Sequence, residues 1–121
     1  MKSLLSLLFV FSLVHFSAQT EANEPNLSAA IHLFAQCMYE IDDKDAFMEM
    51  ENQFRLNPTV KVVRFDWNTK RVFVLMHNIT SLSESEFRAW FTTNSNLPSC
   101  IQIGVHGTDT VKPYPFTNCN N

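Results

Sequence analysis

Two apolar runs on either side of a short polar break constrain this chain more than any other stretch: "TVKVVRFDWNTKRVFVLMHN", residues 59–78. Valine and phenylalanine suit a pleated, half-buried surface, and "DWNTKR" has the polar character of a turn. The stretch therefore predicts a β-hairpin. A two-stranded hairpin is marginal in water by itself and needs further strands or helices against one face. Trp67 falls at the hairpin tip, where it either packs beneath the turn or is left out for a partner.

The flanking segments supply that support. Upstream, "AIHLFAQCMYEI" alternates, with Ile31, Leu33, Ala35, Cys37, Tyr39 and Ile41 on one face and His32, Phe34, Gln36, Met38 and Glu40 on a mixed one. This period of two predicts a strand over 31–41, although alanine and leucine also permit a helix over its first half. Asp42 or Asp43 then caps a helix over "DKDAFMEMENQFRLN", whose Phe47, Met50 and Phe54 form an apolar stripe and which Asn57-Pro58 ends. Downstream, "SLSESEFRAWF" has capping-box spacing at Ser83 and Glu86, and again at Ser81 and Glu84, with Phe87, Trp90 and Phe91 on one face. After the loop "NSNLPS", "CIQIGVHG" predicts a last strand with Ile101, Ile103 and Val105 together. The order β-α-β-β-α-β over 31–106 predicts an α+β, ferredoxin-like sandwich. One four-stranded antiparallel sheet carries two helices on one face, with the first and last strands adjacent.

Residues outside this span divide simply. "MKSLLSLLFVFSLVHFSAQ" has a basic start, an apolar stretch from Leu4 to Val14 and small Ala18, the layout of a signal peptide over 1–18. It is too short and unanchored for a membrane span. Residues 19–30 are expected to be a disordered lead-in and 107–121 a tail with little pattern. The expected location is the periplasm or the cell exterior. Losing Lys2 leaves eight basic groups against twelve acidic ones, a balance of −4. That charge argues against a nucleic-acid footprint, and the only glycines, Gly104 and Gly107, cannot form a glycine-rich phosphate cradle. Asn26 and Asn78 open the sequons "NLS" and "NIT", which matter only in a eukaryotic secretory route.

The stretch from Asn57 to Phe91 resembles the heavy-metal-associated domain of copper chaperones and metal-pumping ATPases. The matching residues are Val60, Val63, Asp66, Val72, Val74, Ser83 and Phe87, and the likeness spans about 31–106. The resemblance implies the ferredoxin-like fold. In that family two thiolates of an M-x-C-x-x-C loop between the first strand and first helix grip a soft ion such as Cu(I). Here the loop falls on "IDDKDA", with Ile41 at the methionine position and Asp43 and Ala46 at the cysteine positions. Both sulfur ligands are replaced, so the soft-metal site does not carry over.

Other chemistry is sparse. Asp42, Asp43 and Asp45 read as a solvated helix-capping turn, since the glycine and spaced acids of a calcium loop are missing. Cys37 faces the core. Cys100 with Cys119 is the expected disulfide, Cys37 with Cys100 being the alternative that the strand phases disfavour. His32, His77 and His106 lie in different segments, expected near opposite ends of the sheet. No linked nucleophile, base and acid are present, and neither an acylphosphatase-type phosphate loop nor the aromatic-basic strands of RNA-binding modules occur. The expected function is an exported, non-enzymatic interaction module with a degenerate metal site and an unidentified protein partner. It needs no cofactor, nucleic acid or membrane after signal cleavage. The alternative is copper or other heavy-metal binding through Cys37, Met38 and Asp43.

Overall fold

A computed structural model describes residues 31–117 and 119. The expected signal peptide, the expected lead-in and Asn26 lie outside the described residues. The element order is β1 (Leu33–Met38), α1 (Lys44–Arg55), β2 (Val60–Asp66), β3 (Arg71–Met76), α2 (Glu84–Ala89), a 3-10 turn (Thr92–Asn94) and β4 (Ser99–Val105). The four strands form one antiparallel sheet in the order β2-β3-β1-β4, so the first and last strands are neighbours. The class is α+β.

The hairpin closes as its composition requires. Asn68 N–H donates to Asp66 Oδ1 at 3.0 Å, and Lys70 takes the left-handed conformation (φ 59°) that returns the chain into β3. Lys70 Nζ sits over the Trp67 ring, and that ring packs edge-on to Phe47 at 5.5 Å. Trp67 therefore lies beneath the turn, half-buried against the core.

Register places one side chain in two from each strand in a single core. Ala35 pairs with Val74 and Ile103, Val74 with Val63, Cys37 with Val72, and Val72 with Phe65. Phe47, Met50 and Phe54 of α1 and Phe87 and Phe91 from the α2 region join this cluster, so both helices cover the same face. Asp43 is the N-cap of α1, accepting from Ala46 N–H at 3.1 Å, and Ser83 with Glu86 forms the capping box of α2. The Ser81–Glu84 spacing is not used. Tyr39 is fully buried among Phe47, Phe65 and Phe91, and its hydroxyl accepts from Asn94 Nδ2 at 2.8 Å. Burial pushes its phenol pKa up, with the Asn94 bond pulling the other way.

Two expectations need correction. The first strand spans Leu33–Met38 rather than 31–41, and Ile31 is 57% exposed, because no partner strand reaches it. The last strand bulges: Met38 pairs with Ser99 and Gln36 with Gln102, so Cys100 and Ile101 together oppose Cys37. Cys100 sits there in left-handed conformation (φ 55°). Residues 110–112 of the C-terminal stretch lie against the sheet face that carries no helix.

Both edge strands are closed at one point by a carboxylate. On β2 the outward N–H of Phe65 donates to Glu51 Oε2 at 2.7 Å, and on β4 that of Val105 donates to Asp109 Oδ2 at 2.7 Å.

Candidate functional site

The helix-free face is where side chains do more than pack. Its centre is Gln36 of β1, only 1% exposed, opposite Gln102 of β4. After β4 the chain reverses: Thr108 and Asp109 N–H both donate to Val105 C=O, at 3.1 and 2.8 Å, and Gly107 supplies φ +85°. The returning segment runs over the two glutamines. Gln36 Nε2 donates to Gln102 Oε1 (2.8 Å) and to Lys112 C=O (2.9 Å). Gln102 Nε2 donates to Thr110 C=O (2.8 Å), and Lys112 N–H donates to Gln102 Oε1 (3.0 Å). Two side-chain amides thus hold backbone groups of Thr110 and Lys112 in the returning segment. Gln36 Oε1 is buried without a partner among the described residues.

Apolar groups flank this clasp. Phe34, fully buried, stacks on Phe73 at 6.1 Å. Gly104 makes room for that ring: a Cβ there would lie 2.9 Å from Phe34 Cε1 and 3.0 Å from Asp109 Cβ. Beyond Phe73 the face opens, with Leu75 half-buried and Val62, its partner on β2, 50% exposed. At the opposite margin Cys100 and Cys119 form a disulfide with Cα atoms 4.6 Å apart. The disulfide walls a cleft of about 200 Å³ that Glu84, Ile101, Lys112, Phe116 and Thr117 also line.

The candidate metal ligands are not brought together. Cys37 is fully buried on the helix side, and burial pushes its thiol pKa up against a smaller opposite pull from the Arg88 guanidinium. Met38 follows it on a strand, so its side chain leaves from the other face. Asp43 is engaged as a helix cap at the end of an exposed turn with Asp42 and Asp45. The histidines do not lie at opposite ends of the sheet. His106 N–H donates to His32 C=O at 2.8 Å, and His32 Nδ1 lies 3.3 Å from Met76 C=O, next to His77. Their rings do not converge, since His77 Nε2 turns to Pro58 C=O at 3.0 Å. Among the described residues no three His, Cys, Asp or Glu side chains form a metal-holding group.

Sequence reasoning missed Gln36 and Gln102 as residues of the candidate site. Each reads as a polar residue on a mixed face, and nothing local signals that its partner is a backbone carbonyl further along the chain. No protein-family model, curated protein or solved structure matches this chain.

Proposed function

We propose that this protein is an exported interaction module of ferredoxin-like, heavy-metal-associated-like topology, and that its helix-free sheet face binds an extended segment of a partner protein. The observation that carries this reading is the amide clasp. Gln36 and Gln102 already hold a peptide segment, the protein's own residues 110–112, through backbone groups any sequence would offer. Beside it Val62, Leu75 and Phe73 leave an apolar strip uncovered enough to receive alternate side chains. Export is supported by the joined Cys100 and Cys119, the form that cysteines take in oxidising compartments. The copper alternative draws no support from a thiol sealed in the core with Met38 on the opposite face.

A photo-crosslinking residue at Val62 tests the proposal, with one at Leu56 as control; Leu56 is 83% exposed at the end of α1. A discrete adduct from position 62 and none from position 56, in the producing cell, is the expected result. Equal labelling from both, or none from position 62, would overturn it.

A further inference from the structure

We propose that the Cys100–Cys119 disulfide is a thiol-exchange site, whose reduction frees the segment beyond Lys112 while the sheet and helices stay folded. Four observations carry this. The core cluster contains neither cysteine. Cys119 is exposed and Cys100 half-buried, and the bond between them walls a cleft open to solvent. Among the described residues, the hydrogen bonds that hold the returning segment stop at Lys112, and none involves Pro113 to Thr117. Tyr114, 44% exposed, belongs to that stretch. Beyond Lys112 the described stretch is held by the packing of Phe116 and Thr117 in the cleft wall and by the covalent bond at Cys119.

The same cleft carries the charge that such chemistry uses. Lys112 is one of its lining residues, and a cation in such a cleft attracts an incoming thiolate and steadies the one that leaves. Glu84 also lines it, but its carboxylate is engaged by Arg88 Nη2 at 3.0 Å. The co-reactant is a dithiol reductant. Its first thiolate attacks Cys119 Sγ, the Cys100–Cys119 S–S bond breaks, and Cys100 leaves as a thiolate that takes a proton from water. The reductant's second thiolate then attacks its own mixed-disulfide sulfur, releasing the Cys119 thiolate and closing the reductant's disulfide. Two electrons pass from reductant to protein.

The test is treatment of the native secreted protein with dithiothreitol, without denaturant, followed by alkylation and mass spectrometry. Expected are two adducts, at Cys100 and Cys119, with Cys37 unlabelled, near-UV circular dichroism retained, and new chymotryptic cleavage after Phe116. A Cys100→Ala/Cys119→Ala variant should be cut after Phe116 at the same rate as the reduced protein. Lys112→Gln should slow reduction roughly two- to fivefold, the size of an exposed charge interaction. Reduction that proceeds only together with Cys37 labelling, a double variant protected after Phe116, or an unchanged rate in Lys112→Gln would each overturn the proposal.

Discussion

Gln36 and Gln102 face one another across β1 and β4, and the amide of one donates to the amide of the other at 2.8 Å. The two are not equivalent. Gln102 is a three-way joint, accepting from Gln36 Nε2 and Lys112 N–H and donating to Thr110 C=O. Gln36 makes two bonds and leaves its oxygen unsatisfied in a buried place.

The asymmetry sets opposite expectations for their removal. Gln102→Ala should cost about 1–2 kcal/mol, because it strands a buried amide donor and frees the returning segment. Gln36→Leu should change stability by less than about 1 kcal/mol, since it also removes an orphaned acceptor and leaves Lys112 C=O within reach of water. Urea titrations of both variants check the pair. A Gln36→Leu loss as large as that of Gln102→Ala contradicts the account.

Gly104→Ala should destabilise by about 1–3 kcal/mol, because a methyl group 2.9 Å from the Phe34 ring forces that side chain or Asp109 to move. Phe34→Leu should recover part of the loss, and a double-mutant cycle on denaturation midpoints would measure the coupling.

High pH should unfold the protein through Cys37. Its thiol is held neutral by burial in the folded state, whereas in the unfolded chain it ionises at the ordinary value of about 8.5. The folded pKa is raised, so its contribution is fully present below about pH 8.5. Above that it falls by about 1.4 kcal/mol per pH unit. Tyr39, shifted the same way by burial, adds to the loss from about pH 10. Stability measured from pH 7 to 10 should slope downward, and Cys37→Ala should flatten the part below pH 10 while lowering the plateau. An identical slope in the variant excludes Cys37 as the cause.

Glu51→Ala should cost about 1–2 kcal/mol and speed amide exchange at Phe65, whose N–H loses its acceptor. Nuclear magnetic resonance exchange rates decide this, with Val105 as the internal reference because Asp109 still holds it.

The α+β scaffold was legible because its cues are local. Valine alternation marks the hairpin, Asp43 and the Ser83–Glu86 box mark helix starts, and Phe47, Met50 and Phe54 mark the buried stripe. The clasp was not legible, for it depends on a contact between Gln36 and Lys112 that no short-range period encodes. The same holds for the bulge at Cys100, where one added residue shifts the phase that separated it from Ile101. At the first bend the missing sulfur pair was readable. The inward direction of Cys37 was readable as well, from the alternation that it shares with Ala35 and Tyr39, both buried with it.

Glu51 and Asp109 also limit growth of the sheet. Each places a negative oxygen where the carbonyl of a fifth strand would have to dock, so a second copy meets charge repulsion at both flanks. Filament formation by strand addition is thereby discouraged at either border.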